Sequence, residues 1–415
     1  MQRLLQRIDH QVPALLGIGL LLIGLLFSRA MMSIGMIVLA VNSVVNRGVA
    51  ANFRTFLRRP DLLGLTGIFL LYLLSGLNSE NLDYWLDRLC MKLPFLFLPF
   101  AFLSMPRFPV RTYYTLLALF FWLVVPMALY SLGQFLGNLE DITYLYREGK
   151  VMPTPVPHTR WSLMVAFAVA VGWYLFQKGF YWRFRAERYA MLAAGLLLVI
   201  YLHLLAVRSG LVALYTVLGY FLIVEVVRHR RWALALGVAA VLSLSLVLSY
   251  RYIPTLKNKI DYTIYGVRLF RQNGNMADLS DSFRLGSIEA GLTIGNRHPL
   301  AGVGIGDLRD ACERFYQERY PALAGYELLP HNQYVLVYAA TGGFGLLFFI
   351  AATFYPLFCR RAWRDVLFVA LHLIVFLSFM VEPTAETQLG TAFYLLFLLM
   401  GMSYIARNQK EGQAA

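Results

Sequence analysis

Apolar residues fill most of the chain in blocks of 17–27 residues, broken by short polar segments. Twelve blocks read as membrane spans, since about 20 apolar residues cross the hydrocarbon core. They are 12–28, 30–46, 61–77, 90–106, 112–137, 160–177, 189–207, 209–227, 232–250, 332–358, 365–382 and 388–405. Lipid offers no hydrogen bonds to a bare backbone, and no barrel-like alternation runs through the blocks, so helix is the state they predict. The expected fold class is an all-α polytopic membrane protein of about twelve transmembrane helices. Asn42 and Ser43 interrupt the second block, and prolines punctuate the fourth. The expected division is 1–250 for spans one to nine, 251–331 for one long loop, and 332–415 for the last three spans and a tail, all within one integral membrane domain.

Two smaller patterns stand between the blocks. Leu82, Trp85, Leu86 and Leu89 recur at i, i+3, i+4 and i+7, which predicts an amphipathic helix at the interface leading into the fourth span. The 251–331 segment carries ten basic and nine acidic residues and few long apolar runs. A structureless loop of that length is uncommon, so short helices against the membrane surface are expected there. A second polar loop, 138–160, holds Pro153, Pro155 and Pro157.

Composition agrees with a membrane protein. Of 415 residues, 59% are hydrophobic and only 14% charged, against about 25% charged in soluble domains. The net charge of +14 would suggest nucleic acid in a soluble chain. Here Lys and Arg cluster between apolar blocks, as orientation signals do, and no nucleic-acid partner is expected. With the N-terminus inside, the inside segments hold 20 of the 37 basic residues and the short outside segments seven. Both termini are therefore expected in the cytoplasm and the long loop outside. Cys90, Cys312 and Cys359 are scattered and form neither a disulfide framework nor a zinc pattern. The first block runs into the second without a small-residue cleavage site, so it reads as a span rather than a signal peptide.

The candidate chemistry gathers on the outer face. Arg208 stands between the seventh and eighth spans, where almost no connection separates them. An Arg there either snorkels to headgroups or binds an anion, for which a guanidinium offers a bidentate, permanently charged fork. Arg284 lies in Asp281-Ser282-Phe283-Arg284, the expected start of a loop helix that Ser or Asp would cap; alone it reads as a solvated surface Arg. Gly302, Gly304 and Gly306 form a Gly-x-Gly-x-Gly run that either cradles phosphate or makes a tight turn. No strand precedes it, which excludes a dinucleotide site. His331 opens the tenth span and has the pKa range of a general base, although a helix-start His also serves as a cap. Gly342 and Gly345 read as helix-packing positions. Glu382, followed by Pro383 and Glu386, is a loop carboxylate able to pair with an outer Arg or His. His158 and Arg160 are secondary candidates for ligand contact. His203 and His372 lie within spans and read as buried neutral imidazoles bonded to a neighbouring helix. No carboxylate cluster or His-x-x-x-His pattern indicates a metal site.

His331-Asn332, nine residues, Gly342, two residues and Gly345 resemble the signature of the bacterial O-antigen ligase family. Arg208 at the outer end of a middle span, Arg284 in the first half of a long loop, the Pro299–Gly306 stretch and the His at the loop's exit are similar in order. Arg208 precedes Ser209-Gly210, whereas many relatives place the Ser before the Arg. The resemblance implies a C-type membrane glycosyltransferase working without metal or cofactor. It would move a glycan from undecaprenyl diphosphate to a sugar hydroxyl of lipid A–core, at the periplasmic face of the bacterial inner membrane, in lipopolysaccharide biosynthesis. Arg208 and Arg284 would hold the diphosphate, with Asn332, Arg160, His158 and Glu382 also contacting substrate, and His331 would take the acceptor proton.

Such a set is chemically sufficient. Negative charge grows on the leaving diphosphate, where fixed Arg donors stabilise it, and a neutral hydroxyl acceptor profits from a base. Direct displacement with inversion is the expected course. O-antigen polymerases and protein O-oligosaccharyltransferases share these needs and are the near alternatives. A lipid-linked glycan flippase is the alternative of another class; it should show paired halves and ionisable residues near the midplane, and neither is visible here.

Overall fold

The computed structural model describes residues 10–147, 150–230, 232–254, 256–258, 260–261, 264–265 and 280–414. Its helices are α1 (Gln11–Phe27), α2 (Arg29–Val45), α3 (Val49–Phe56), α4 (Pro60–Ser75), α5 (Leu82–Ser104), α6 (Val110–Gly137), α7 (Leu139–Arg147) and α8 (His158–Gln177). They continue with α9 (Ala186–Leu205), α10 (Arg208–His229), α11 (Trp232–Tyr252), α12 (Ser280–Arg297), α13 (Leu308–Arg319), α14 (Gln333–Phe358), α15 (Val366–Val381) and α16 (Gln388–Ala414). Every one of the twelve apolar blocks is helical, and no strand occurs among the described residues. Among the described residues, seven helices are long and apolar enough to cross a membrane: α4 with its 3₁₀ extension, α6, α8, α9, α10, α14 and α16. The pair α2 and α3, bent by 107°, passes the same test jointly, and α1 and α15 are shorter apolar helices. The protein is an all-helical, multi-pass membrane protein.

The chain forms two compact units. The first comprises residues 1–113, 283–368 and 379–415, and the second 114–282 and 369–378. In the first unit, α1 and α2 make a tight antiparallel pair. A Cβ on Gly17 would lie 2.5 Å from Leu39 Cδ2, and one on Gly24 would lie 2.5 Å from the Met32 backbone nitrogen. Close backbone approach of this kind replaces the hydrophobic effect between helices in lipid. Asn42, the polar interruption of the second block, is buried and bonds His10, with Oδ1 2.8 Å from Nδ1 and Nδ2 3.2 Å from the carbonyl. In each unit one helix is enclosed: 83% of the apolar window is buried in α16 of the first and in α8 of the second.

The interfacial helix expected over 82–89 is continuous with the fourth span and forms its first turns, in α5. Trp85 is pinned by its Nε1–H to the Tyr72 carbonyl (2.9 Å), while Leu82 and Leu86 stay exposed. The long loop contributes α12 and α13. Asp307 fastens it to the α4–α5 connection by accepting the Glu80 and Asn81 amides at 2.8–3.0 Å. Tyr320 donates to Glu289 at 2.6 Å and joins the end of α13 to α12. Tyr316 donates to the Leu328 carbonyl at 3.1 Å, which holds the segment approaching His331.

α14 is broken at Gly342, whose φ of 69° and ψ of −172° lie in a region essentially restricted to glycine. The break frees backbone groups, and the glycine run of the long loop pairs with them. Val303 N donates to Ala339 O (3.0 Å), Gly304 N to Ala340 O (2.9 Å), and Gly343 N to Pro299 O (2.7 Å). Gly342 was expected to serve helix–helix packing; its role is this backbone interruption, which admits a loop rather than a helix. Gly345 does face a neighbouring helix: a Cβ there would lie 3.2 Å from Leu71 Cδ1 of α4.

Candidate active site

His331 is the residue before the cap of α14. Asn332 has extended backbone angles, and its Oδ1 accepts the Tyr334 and Val335 amides at 3.0 and 3.1 Å, as an N-cap does. Its Nδ2 donates to the Met380 carbonyl at 3.1 Å. Both ends of this amide are therefore engaged within the protein. The His-Asn pair thus contains one half-buried imidazole and one residue that fixes where the helix starts.

The His331 backbone N–H donates to Ser287 Oγ of α12 (3.1 Å), and its Nδ1 lies 3.2 Å from the same oxygen. Ser287 in turn donates to the Arg284 carbonyl, one turn back, at 2.8 Å. Arg284 and Ser287 thus reach His331 from a single helix turn. Burial and then the Arg284 guanidinium push the imidazole below its ordinary 6.5, while the Glu382 carboxylate and the Leu329 carbonyl pull it part of the way back. The ring is therefore neutral at pH 7, the state a base requires. Arg284 is half-buried.

Next to this site, reached through Gln333, lies a buried polar cluster that sequence reading passed over. Lys92 of α5 is fully enclosed and Glu386 is 3% exposed. Lys92 Nζ lies 2.8 Å from Glu386 Oε1, contacts the Ala385 carbonyl, and sits 4.3 Å above the Tyr72 ring. The same Glu386 oxygen accepts from the Tyr72 hydroxyl and from Gln333 Nε2 (2.9 Å). Gln333 Oε1 accepts the Ala385 amide at 2.9 Å. Helices α4, α5 and α14 and the turn before α16 are thereby joined two residues from His331. Lys92 stands near the start of the fourth apolar block, and its charge points inward. An ionisable residue inside an otherwise apolar helix was the signal available for it.

The glycine run makes the tight turn and leaves no phosphate cradle. The amides of Gly302, Val303, Gly304 and Gly306 go to His298 O, Ala339 O, Ala340 O and Ser79 Oγ. Gly304, at φ 82°, would place a Cβ 2.2 Å from the Asn78 carbonyl.

In the second unit, Arg208 begins α10 after a two-residue connection in which Ala206 takes φ 52°. His158 and Arg160 occupy the first turn of α8. The starts of α8 and α10 pack closely, since a Cβ on Gly210 would lie 2.3 Å from Ser162 Cβ. The second unit thus brings Arg208, Arg160 and His158 to neighbouring helix starts, with His158 exposed and both Arg half-buried. The first unit brings together His331, Asn332, Arg284 and Glu382. His203 is buried and bonded as expected, 2.8 Å from both the Val199 carbonyl and the Tyr215 hydroxyl of α10. Asp281 and Ser282, the expected caps of the loop helix, have side chains outside the described residues, and the helix itself begins at Ser280.

Residues 193–350 match the family model described as O-antigen ligase. The matched stretch takes in Arg208, Arg284, His331 and Asn332, and stops before Glu382 and Glu386. No curated protein matches the chain.

Proposed function

We propose that this chain, whose residues 193–350 belong to the O-antigen ligase family, transfers a glycan from undecaprenyl diphosphate to a sugar hydroxyl of lipid A–core. The observation that carries the reading is His331. It is an imidazole held neutral by burial and by Arg284, one helix turn from the residue that anchors it. In this reaction the acceptor oxygen attacks the anomeric carbon and the bond to the diphosphate oxygen breaks, the pair leaving on the phosphate. The acceptor proton passes to His331. Direct displacement inverts the anomeric centre.

Arg284, beside His331 in the first unit, takes the anionic donor; Arg208, Arg160 and His158 are the anion-contact candidates of the second unit. Fixed guanidinium donors stabilise charge that accumulates in the transition state, and losing one costs about 3–4 kcal/mol by analogy with oxyanion donors. Asn332 caps the helix that starts directly after His331, and Glu382 tunes the imidazole. Permanent positive charges replace the usual task of a metal ion, so the reaction proceeds without one. The site faces the periplasm at the inner membrane, with both termini in the cytoplasm.

The test is transfer by the purified protein from undecaprenyl-diphosphate glycan to lipid A–core, with EDTA present. Glycosylated lipid A–core is the expected product. Lengthened lipid-linked chains with unmodified lipid A–core would show a polymerase, and donor flipping without transfer would show a transporter.

A further inference from the structure

Ser287 is fully buried on α12, and its single oxygen makes three contacts. It lies 2.8 Å from the Arg284 carbonyl, 3.1 Å from the His331 backbone nitrogen and 3.2 Å from His331 Nδ1. A serine hydroxyl has one proton and two lone pairs. A carbonyl oxygen only accepts, so the Ser287 proton goes to Arg284. A backbone amide only donates, so one lone pair receives His331 N–H. What is left for Nδ1 is the other lone pair, and Nδ1 must carry a hydrogen to use it.

We infer that Ser287 is a positioning residue that holds His331 as its Nδ1–H tautomer and so makes Nε2 the nitrogen that takes the acceptor proton. The inference rests on the transferase reading of His331. The bond survives the chemical step, because Nδ1 is protonated in the neutral tautomer and in the imidazolium alike. As the acceptor O–H proton moves to Nε2, the oxygen's pair forms the new glycosidic bond and the diphosphate departs with the old one. No hydrogen bond on the Nδ1 side has to break. A partner on the far ring nitrogen sets tautomer and orientation in this way for functional histidines generally.

The packing explains why a small residue stands here, and the hydroxyl explains why it is serine. Ser287, Gly291 and Gly295 share one face of α12 at i, i+4 and i+8. A Cβ on Gly291 would lie 2.6 Å from Val335 Cγ1, and one on Gly295 would lie 2.5 Å from Tyr338 Cδ1. Alanine would satisfy that packing equally. It would leave the His331 amide and Nδ1 without their acceptor.

The test labels histidine with nitrogen-15 in the full-length protein in nanodiscs, at a pH where the imidazole is neutral, and assigns His331 by its loss in His331→Gln. Wild type should show a pyrrole-type Nδ1 and a pyridine-type Nε2. Ser287→Ala should move His331 toward the other tautomer and lower kcat by roughly 10–100-fold with KM little changed, the scale seen for partners that orient metal-bound imidazoles. Ser287→Cys, of similar size but a weak acceptor, should fall between. Gly291→Ala should lower the melting temperature and leave the tautomer signature in place. A pyridine-type Nδ1 in wild type, or Ser287→Ala at wild-type kcat, would overturn the inference. If wild type transfers no glycan, the transferase reading fails, and the nitrogen spectrum still decides the tautomer.

Discussion

At the scale of single residues, His331 is governed by charges on two sides, and this gives a signed pH prediction. Its imidazole lies below 6.5 because of burial and Arg284, with Glu382 acting against them. A base works when neutral, so transfer should rise with pH through a pKa below 6.5 and be level at neutral pH. Glu382→Gln removes the charge that raises the pKa, so the acid limb of kcat/KM should move to lower pH. Arg284→Gln removes a charge that lowers it, so the limb should move to higher pH in whatever activity survives. Profiles of both variants moving the same way would contradict the assignment. His331 was legible in the sequence because a chemistry-bearing residue at the edge of an apolar block stands out, whereas Arg284, by itself a solvated loop Arg, was singled out only by its place in the family resemblance. Ser287 was not, because a serine on a loop helix carries no local signal of what it bonds 44 residues away.

At the scale of elements, two interactions fix the frame around that histidine. One is the Gly342 break with its inserted loop. Gly342→Ala places a side chain in a glycine-only region, costing about 1–3 kcal/mol. It also brings a Cβ to 2.1 Å from the Leu300 carbonyl. Thermal unfolding in detergent should register a marked loss, and activity should fall with it; an unchanged midpoint would contradict the described break. The other is the Lys92–Glu386 pair. Removing one partner of a buried ion pair leaves the other charge uncompensated and costs about 3–5 kcal/mol, whereas replacing both with apolar residues of similar size is often far less damaging. Lys92→Met and Glu386→Leu should each destabilise strongly, and the double variant should lose much less than the sum. Strict additivity in chemical unfolding would mean the two do not pair. The helices themselves were readable because lipid leaves the backbone no other state. The pair was hidden because its partners lie 294 residues apart, and charge counting assigns residues to sides of a membrane without asking whether they point inward.

At the scale of the whole molecule, a periplasmic acceptor requires the long loop outside and the termini inside. Cys90 and Cys359 are replaced by Ser, while Cys312 is buried with its thiol pushed up to about 12 by burial and so stays unreactive. A single Arg297→Cys in that background should react with a membrane-impermeant thiol reagent in intact cells or spheroplasts, and a cysteine near residue 412 should not. The reverse pattern would put His331 on the wrong side for a periplasmic acceptor. Topology still leaves chemistry open, and the most direct measurement is the rate of glycan transfer to lipid A–core by His331→Ala beside wild type, in matched amounts of folded protein. Loss of a base contributes about 10²–10⁴-fold, so the variant should retain at most about one part in a hundred of the wild-type kcat. Transfer by His331→Ala at a rate close to wild type would contradict the central claim that this imidazole takes the acceptor proton.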